Sequence, residues 1–384
     1  MSQRVRGSVT AAGAEVRERI REAARDLGFA SVGFAPAEPP AHADAFLAWL
    51  RAGHHADMQW MAREDSVRRR LHPREALPGC RTLVVVTLAH AADSYDSIPA
   101  DGGTETSESA GPREAIVARY ARGRDYHDVF EEKLATLESV IRDAAPESDC
   151  KTYVDYGPVL ERDHAQRAGL GWIGKNTLLI DPRIGSWLLI GEVLTTLALP
   201  PDDPFLPDRC GSCTRCLVAC PTGAIVDERI VDSRLCISWL TIENRGSIPE
   251  ALRRPMGRRV FGCDICQEVC PWNRDPAPVD RSALEPGRPA ALPTMEAWVE
   301  LLLDLDETGY RERFRGTALT RPGRDGMLRN LCVGLGNAGD LRSEALLRRC
   351  AADGSELVRE HARWALSRLD VELRPSPEAL PSRP

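Results

Sequence analysis

The chain has 384 residues, of which 43% are hydrophobic and 28% charged, and this is the composition of an ordinary folded protein. The composition excludes wholesale disorder, collagen and coiled coil, and the length exceeds what one core normally takes, so we expect two or three structural units. A net charge of −7 argues against a protein held on nucleic acid by bulk electrostatics, while leaving room for local basic patches. Lysine is rare among the 50 basic residues and occurs only as Lys133, Lys151 and Lys175.

No apolar run reaches the roughly 18 residues that a membrane helix needs, because the longest ones are short or carry Glu192. The first residues contain scattered arginines but neither an apolar segment before a cleavage site nor an adjacent arginine pair. We therefore expect no membrane span, no export signal and a cytoplasmic protein. In such a chain, twelve cysteines favour metal binding over disulfide bonds.

Residues 1–200 are predicted to form a mixed domain of the α+β or α/β class. An amphipathic helix is predicted over 14–30, with Val16, Ile20 and Leu27 on one face. Residues 91–114 are rich in Ser, Gly, Asp and Glu and are predicted to be a flexible surface insertion. The other predicted elements are strands at 30–35 and 82–88, a helix at 126–144, a strand at 152–155, a helix at 159–168 and a strand at 176–181.

The rest of the chain divides where the composition changes. Residues 201–275 are dense in cysteine and proline, which is typical of a small domain stabilised by metal. Residues 290–372 have a helical pattern that suggests a helical-repeat module, and the Pro-rich residues 373–384 are predicted to be a disordered tail. The clearest helices of the module are predicted at 327–336, 340–351 and 355–369.

Two cysteine motifs point to iron–sulfur chemistry. The run CGSCTRCLVACP at 210–221 has the complete spacing of bacterial two-cluster ferredoxins, in which three thiolates bind one [4Fe–4S] cluster and the fourth binds another. The run CDICQEVCP at 263–271 repeats the back half of that spacing, with Val260 where its first cysteine would stand. Two clusters need eight thiolates, and Cys236 is the one cysteine between the runs, so we predict that it completes the set.

The crossover of ferredoxin ligands assigns these cysteines to two clusters. The first cluster is predicted to take Cys210, Cys213, Cys216 and Cys270, and the second to take Cys220, Cys236, Cys263 and Cys266. A structural zinc site is the alternative, but the number of thiolates and the proline after each fourth cysteine favour iron and sulfide. The other four are predicted to be buried residues without chemistry: Cys80, Cys150, Cys332 and Cys350.

The clusters adjoin a domain that is larger than electron carriage alone requires. Residues 169–174 match the dinucleotide fingerprint GxGxxG, but a helix-like segment precedes them and a strand-like one follows, so dinucleotide binding is not expected. Asp155 ends a predicted strand and begins the turn Asp-Tyr-Gly-Pro, at the sheet edge where ligands of α/β proteins collect. A carboxylate there can be desolvated and act as a general acid, or it can simply cap the turn.

Other candidates for the site are charged, amide or aromatic residues in turns. Lys175 and Asn176 stand on a tight turn, where the lysine either binds a ligand or is solvated. Arg63 precedes a basic stretch at 68–70 that is either a solvated face or a phosphate site. Tyr120 and His127, like Asp125 and Tyr126, follow the insertion, and polar aromatic residues there suit the rim of a pocket.

Taken together, several of these segments resemble one family of enzymes. They are VDYGPVLERDHAQRAGLGWIGKNTLLI at 154–180, ARYARGRDYH at 118–127, CGSCTRCLVACPTGAI at 210–225, Cys236 and FGCDICQEVCPWN at 261–273. The chain resembles the epoxyqueuosine reductases, cobalamin-dependent enzymes that end queuosine biosynthesis, over residues 15–372. The combination of VDxGP, GxxGKN and the incomplete second motif carries the resemblance, and LRNLCVGLGNAGD at 328–340 is similar to the HEAT-like module found in some members.

The resemblance implies a nitroreductase-like domain that binds base-off cobalamin, a ferredoxin-like domain with two [4Fe–4S] clusters and a HEAT-like helical module. It implies that electrons pass through the clusters to cobalt, and that the reduced cobalamin removes the epoxide oxygen of epoxyqueuosine at the tRNA wobble position. Asp155 matches the proton donor of the family. The residues expected to contact the cofactor are Arg63, Tyr120, His127, Asp155, Lys175 and Asn176.

The resemblance implies two partners, a tRNA anticodon stem-loop and an electron donor that the sequence does not identify. Recognition of a single-stranded loop needs stacking and few phosphate contacts, so a local arginine patch can suffice in an acidic chain. Residues 318–372 contain nine arginines against eight acids, so we expect the helical module to be the tRNA platform of a monomeric protein.

Two other functions compete with this one. A reductive dehalogenase would share cobalamin and two clusters, but the missing twin-arginine leader and the helical tail argue against it. A non-catalytic electron carrier would contain iron and sulfide but no cobalt.

Overall fold

A computed structural model of the chain describes residues 11–90, 113–274, 282–284 and 294–372. Nearly all of the predicted insertion at 91–114, and the whole predicted tail at 373–384, lie outside the described residues. Within the described ranges, no helix combines the length and the apolar character that crossing a bilayer requires.

An antiparallel four-stranded sheet in the order β1-β2-β7-β4 forms the centre of the first domain. The strands described, in chain order, are β1 (Ser31–Pro36), β2 (Thr82–Ala89), β3 (Ile116–Val117), β4 (Cys150–Tyr153), β5 (Trp172–Ile173), β6 (Leu179–Ile180), β7 (Leu188–Thr195), β8 (Ile225–Asp227), β9 (Ile230–Val231) and β10 (Arg259–Phe261). Because every neighbouring pair in the main sheet is antiparallel, this domain is α+β, one of the two classes that the sequence predicted.

Helices cover both faces of this sheet. The helices of the first domain are α1 (Ala11–Asp26), α2 (Ala43–Arg51), α3 (Gln59–Ala62), α4 (Glu64–Leu71), α5 (Pro73–Ala76), α6 (Tyr126–Ala144) and α7 (Glu161–Arg167). On β2, Val84, Val86 and Leu88 pack in a core with α1 and α6, whereas Leu83 and Val85 pack in another with α7. All eight residues of β2 are therefore buried, which explains why its sequence is a continuous apolar run and not an alternating one.

The cysteine region is built from short elements and is joined to the first domain by a strand pair. Its helices are α8 (Arg215–Ala219), α9 (Ile237–Ile242), α10 (Glu250–Arg253) and α11 (Ile265–Glu268). Strand β3, from the segment after the insertion, pairs in parallel with β10 of the cysteine region. The two regions therefore share main-chain hydrogen bonds as well as side-chain contacts.

The helical module packs against the cysteine region through a buried arginine. Its helices are α12 (Met295–Leu303), α13 (Glu307–Arg313), α14 (Gly323–Ala338), α15 (Glu344–Cys350) and α16 (Glu356–Glu372). On α14, the fully buried Arg329 donates to the carbonyls of Leu240, Asn244 and Gly246 at 2.7–2.9 Å. Burial lowers the pKa of Arg329 to about 10. This arginine, one of the nine counted for a tRNA platform, therefore serves packing instead.

Most predicted elements are present, with differences at their ends. The helix predicted at 126–144 is α6 with the same bounds, and the three helices predicted in the C-terminal module are α14, α15 and α16. The strand predicted at 152–155 is β4, which ends at Tyr153, so Asp155 lies two residues beyond the strand. The strand predicted at 176–181 is shortened to β6, because residues 174–178 form the connection of the β5–β6 hairpin.

Candidate active site

The candidate acid, Asp155, stands on an exposed turn between β4 and α7. Its backbone has a φ of +55°, in the left-handed region that Asp and Asn tolerate better than most residues. The Asp155 N–H donates to Glu161 Oε1 at 2.6 Å and ties the turn to the first residue of α7. Desolvation, the alternative that would favour a general acid, is not seen at Asp155 itself, since its side chain is exposed and the more buried carboxylate is that of Glu161.

Tyr126 holds the Asp155 carboxylate from the side of α6. The Tyr126 hydroxyl donates to Asp155 Oδ2 at 2.5 Å, and the tyrosine ring is buried. Tyr126 is the first residue of α6, whose N-cap, Asp125, accepts from the His127 N–H at 3.1 Å. Burial, followed by the charge of Asp155, raises the pKa of Tyr126, so the phenol keeps its proton and stays the donor.

An arginine of the helical module supports this end of α6. Arg321, just before α14, donates to Asp125 Oδ1 at 3.1 Å and lies 2.6 Å from Nδ1 of His127. Its guanidinium lies 5.1 Å from the centre of the Tyr126 ring. The helical module therefore contacts the residue that positions the candidate acid.

Carboxylates cluster behind the Asp155 turn. Burial, followed by the charges of Asp155 and Glu192, raises the pKa of Glu161 well above its usual value. Glu192, in the middle of β7, is fully buried and lies 3.0 Å from Nδ1 of the equally buried His164. These residues are functional candidates that the sequence prediction missed, although the carboxylate of Glu192 inside an apolar strand was a visible signal.

Asp155 and one of the predicted cysteine sets line the same cavity, which we call the inner cavity. Its volume is about 450 Å³, and Tyr120, Tyr126 and Asn176 are also part of its wall. Its four cysteines are Cys220, Cys236, Cys263 and Cys266. Burial raises the pKa of Cys263 to about 12, and a bound cation such as iron would favour its thiolate form.

The other predicted cysteine set lines a second space, which we call the outer cavity. Its volume is about 250 Å³, and its four cysteines are Cys210, Cys213, Cys216 and Cys270. Trp172 Nε1 donates to Cys210 Sγ at 3.4 Å, and burial raises the pKa of Cys270 to about 11. The fold thus groups the eight cysteines into the two sets of four that the sequence predicted, each around its own space.

The predicted cofactor contacts are distributed over three places. Tyr120 and Asn176 line the inner cavity with Asp155. Lys175 lines the outer cavity and forms a 2.6 Å ion pair with Glu228. His127 contacts Asp125 and Arg321, and Arg63 lies before α4 with a side chain that is 68% exposed.

The glycines of the GxGxxG segment have structural roles. Helix α7 precedes the segment and the β5–β6 hairpin follows it, so the predicted context is confirmed. Gly169 follows α7 with a φ of +79°, and a Cβ at Gly174 would lie 2.5 Å from Ile180 Cδ1. Of the cysteines predicted to be inert, Cys80, Cys332 and Cys350 are buried, while Cys150 is partly exposed.

The helical module carries a groove beside the N-terminus of α6. It has a volume of about 990 Å³ and is lined by both basic and acidic side chains: Arg245, Arg311, Arg321, Arg324, Asp306, Glu307, Asp325 and Asp353. Arg324 is paired with Asp353 at 2.7 Å and Arg311 with Glu307 at 2.8 Å. Arg321 lines this groove and also contacts Asp125 and the ring of Tyr126, which holds the candidate acid.

Two family models match the chain. The model described as epoxyqueuosine reductase QueG, DUF1730, matches residues 70–156, which include Tyr126 and Asp155. The model described as a 4Fe-4S double cluster binding domain matches residues 209–273, which contain all eight cysteines of the two sets.

Curated relatives match over nearly the whole chain. An epoxyqueuosine reductase from Pseudomonas aeruginosa is 42% identical over 358 residues, which cover 92% of this chain and 95% of the relative. One from Vibrio cholerae is 40% identical over 353 residues, which cover 92% of this chain and 91% of the relative.

Solved structures match the fold to the same extent. A crystal structure of epoxyqueuosine reductase with an epoxyqueuosine-modified tRNA-Tyr stem loop has a TM-score of 0.81 at 29% identity, covering 93% of this chain and 91% of that one. The Bacillus subtilis enzyme, in a structure whose catalytic aspartate loop is swung out of the active site, has a TM-score of 0.80 at 28% identity with the same coverage.

The fold and the site define an iron–sulfur oxidoreductase in which a double-cluster region adjoins a cavity that carries an acid. The curated relatives then identify the family. The chain belongs to the epoxyqueuosine reductase family.

Proposed function

We propose that the protein reduces epoxyqueuosine to queuosine at the tRNA wobble position, with two [4Fe–4S] clusters and base-off cobalamin as cofactors. The observation that carries this proposal is the inner cavity, where Asp155 and four cysteines line one space. An epoxide oxygen leaves as an alkoxide-like anion, so its removal requires a proton donor beside a source of electrons. Membership of the family adds the identity of the substrate.

We assign the two sets of cysteines as the ligands of the two clusters. The four cysteines of the outer cavity would hold the first cluster and the four of the inner cavity the second, since each set surrounds a separate space. When bound, the clusters would carry single electrons, and cobalamin would supply the reducing cobalt that breaks the carbon–oxygen bonds.

The inner cavity also suits a large macrocycle. Its apolar residues, among them Leu179, Leu188 and Ile190, can pack against the face of a ring. Tyr120 and Asn176 can donate hydrogen bonds to amide side chains at the edge of such a ring. The proposed contacts are therefore Tyr120, Asp155 and Asn176, whereas Arg63, His127 and Lys175 stay predictions as cobalamin contacts.

Asp155 would deliver one of the two protons that the reaction consumes. Converting an epoxide to an alkene takes two electrons and two protons and releases water. The Tyr126 hydroxyl occupies Asp155 Oδ2, which leaves Oδ1 as the atom that holds the transferable proton. The exposed turn and the swung-out catalytic loop of the Bacillus subtilis relative support a turn that moves the acid toward its substrate.

The remaining assignments concern the modules and partners. We assign the first domain to the nitroreductase-like class, because helices cover both faces of its sheet, and the helix pairs α12–α16 to the HEAT-like class. The groove beside Arg321 is the proposed platform for the anticodon stem-loop, because it adjoins the residues that hold Asp155. A tRNA substrate implies work in the cytoplasm, and we propose a monomer that receives its electrons from a separate donor.

Anaerobic reconstitution tests this function. The protein should gain about eight irons, retain cobalamin through gel filtration and convert epoxyqueuosine-containing tRNA to queuosine-containing tRNA, with nucleosides resolved by mass. The Co(II) paramagnetic spectrum should lack nitrogen superhyperfine splitting from an axial base. Clusters without cobalamin retention would indicate an electron carrier, and turnover of a halogenated phenol without turnover of the tRNA would indicate a dehalogenase.

A further inference from the structure

Exposed apolar side chains are concentrated in the chain segment that contains three cysteines of the outer cavity. Within the described residues, seven large hydrophobic side chains are exposed, and four of them lie between residues 206 and 230: Leu206, Val218, Val226 and Ile230. Leu206 and Val218 are 82% and 81% exposed. Single exposed apolar residues are normal on a soluble protein, but such a concentration in 25 residues marks a contact surface.

The charged residues that line the outer cavity are all basic: Lys175, Arg209 and Arg215. Lys175 is neutralised by Glu228, whereas Arg209 and Arg215 are exposed and form no ion pair with any part of the chain that the structure describes. Arg209 lies over the rings of Phe205 and Trp272, at 5.4 and 6.0 Å from their centres, and is therefore held beside the cavity.

Apolar and basic residues lie close to one another on this surface. Arg215 and Val218 are three residues apart on α8, so they lie on the same side of that helix. Leu206 follows Phe205, which stacks on Trp172 at 5.6 Å, and Trp172 in turn donates to Cys210. The acids Glu228 and Asp208 lie close to this wall, but they form ion pairs with Lys175 and Arg229. Among the described residues, Arg209 and Arg215 are therefore the charged residues of the wall that no acid pairs with.

The two cavities also differ in the side chains that accompany their cysteines. Tyr120, Tyr126 and Asp155 line the inner cavity, and none of them lines the outer cavity. The inner cavity contains the acid, so the substrate must occupy that side. The outer cavity is thus the one that a second protein can approach while the substrate is bound.

We propose that the surface formed by Leu206, Arg209, Arg215 and Val218, the entry face, docks a small acidic protein that carries one electron at a time. This inference rests on the proposed function, because it takes the outer cavity as the site of the first cluster. Brief electron-transfer complexes have small interfaces, in which apolar contact beside the redox centre is combined with charge steering. At the cavity rim, two arginines that form no ion pair with a described residue select an acidic partner.

The electron balance requires two encounters for each turnover. Each reduced carrier gives up one electron to the first cluster and leaves oxidised. Two such electrons, with two protons, convert one epoxide to one alkene and one water. A carrier must therefore bind, react and depart twice, which weak and rapid docking permits.

The test compares a protein donor with a small one. Reduced plant-type ferredoxin, an acidic one-electron carrier, is mixed with anaerobic holoprotein, and cluster reduction is followed by stopped-flow absorbance. Arg209→Glu/Arg215→Glu should lower the second-order rate constant at least 10-fold at low salt, within the range of electrostatic steering, and should remove its salt dependence. Reduced methyl viologen should reduce the clusters of the variant and the wild type equally fast.

A matched control and a binding measurement complete the test. Arg19→Glu/Arg254→Glu makes the same change of charge at two exposed arginines outside the outer cavity, and it should leave the ferredoxin rate unchanged. Oxidised ferredoxin should bind the wild type in calorimetry, and Leu206→Ser/Val218→Ser should weaken that binding without altering the salt dependence.

Several outcomes would overturn the proposal. An unchanged rate of reduction by ferredoxin in the Arg209/Arg215 variant, with both clusters present, would reject the docking role of the entry face and leave the proposed function intact. Weaker binding of the tRNA stem-loop by that variant, with a normal ferredoxin rate, would assign the face to the tRNA. A reconstituted protein without clusters would reject the entry face and the proposed function together, whereas normal docking without conversion of the tRNA would reject only the function.

Discussion

Each of the two cysteine cavities is lined by four cysteines, but the other residues in and around their walls differ. The outer cavity has basic residues in its wall and exposed apolar side chains around it. The inner cavity has three carboxylates, two phenols and four leucines in its wall. The first set of neighbours suits contact with another protein, and the second suits a bound substrate and the delivery of a proton. Asn176 is part of both walls, so the two spaces are neighbours.

This difference shows how one ferredoxin-like motif can have two distinct ends. The spacing of the cysteines is nearly symmetric, so under the proposed function the motif would not set the direction in which electrons pass. The direction would be set by what the rest of the chain places beside each cavity: α6 and the Asp155 turn at one, and α8 with Arg209 at the other.

The largest expected effect comes from removing one cysteine of each set. Cys236→Ala should lose about half of the iron and the paramagnetic signal of one cluster, and Cys213→Ala should lose the other signal, because each set holds four irons. Turnover with a protein donor should be abolished in both. Iron analysis and paramagnetic spectra at successive stages of reduction provide the measurement.

The control is Cys150→Ala, which removes a cysteine on β4 that belongs to neither set. This variant should keep all iron and both signals. If Cys236→Ala kept both signals as well, the division of the cysteines between the two cavities would be wrong.

The next effect concerns the acid of the inner cavity. Asp155→Asn keeps the shape and tolerates the left-handed backbone, but it removes the transferable proton. Single-turnover conversion of the tRNA should fall about 10²–10⁴-fold, or ~3–5 kcal/mol of barrier, with cobalamin retention and tRNA affinity unchanged.

The matched control for that change is Asp128→Asn, on the exposed first turn of α6. It should leave the rate unchanged. A rate near that of the wild type in Asp155→Asn, measured with full cofactor occupancy, would return Asp155 to the role of a turn residue.

How far the sequence could predict this site depends on whether the signal is local. The cysteine sets were predictable because ligand spacing is written along a few dozen residues and needs no knowledge of the fold. The position of Asp155 on a turn was predictable, since Asp-Tyr-Gly-Pro ends a strand. The sequence left open whether Asp155 is a desolvated acid or a turn residue, because its exposure depends on how the turn packs against α6 and α7.

Contacts between residues that are far apart in the chain could not be predicted from the sequence. Arg321 is 196 residues from Asp125, and no periodicity or motif links them. Arg329 counted as a surface charge in the sequence, yet helix packing buries it completely. The ends of β4 and β6 were also misplaced, because they depend on which strand pairs with which.

A smaller effect is expected from the phenol that holds the acid. Tyr126→Phe removes the hydrogen bond to Asp155 Oδ2 but keeps the buried ring. Loss of the hydrogen bond that positions the acid should lower the turnover rate roughly 10-fold, with little change in the apparent affinity for the tRNA. Single-turnover rates measured over a range of tRNA concentrations separate these two quantities.

Tyr310→Phe is the matched control, because it also deletes a buried hydroxyl, one that donates to the carbonyl of Leu319 in the helical module. It should lower the unfolding temperature without slowing turnover. Equal loss of rate in both variants would mean that Tyr126 acts through stability and not through the acid.

The smallest expected effect is on stability near the inner cavity, where Glu161 holds a proton more tightly than usual. Burial, followed by the charges of Asp155 and Glu192, raises the pKa of Glu161 above its value in the unfolded chain. The folded protein therefore binds more protons than the unfolded one as pH rises past the unfolded pKa of about 4.3, and this part of its stability declines until the folded pKa is passed.

Glu161→Gln keeps an oxygen that can accept from the Asp155 N–H but removes the titration. The unfolding temperature of the variant relative to that of the wild-type holoprotein should thus increase as the pH rises above about 5. If the unfolding temperatures of the two proteins changed with pH in parallel, the pKa of Glu161 would be the same in the folded and unfolded chain. The inner cavity would then not differ from the outer one by a protonated carboxyl beside the acid.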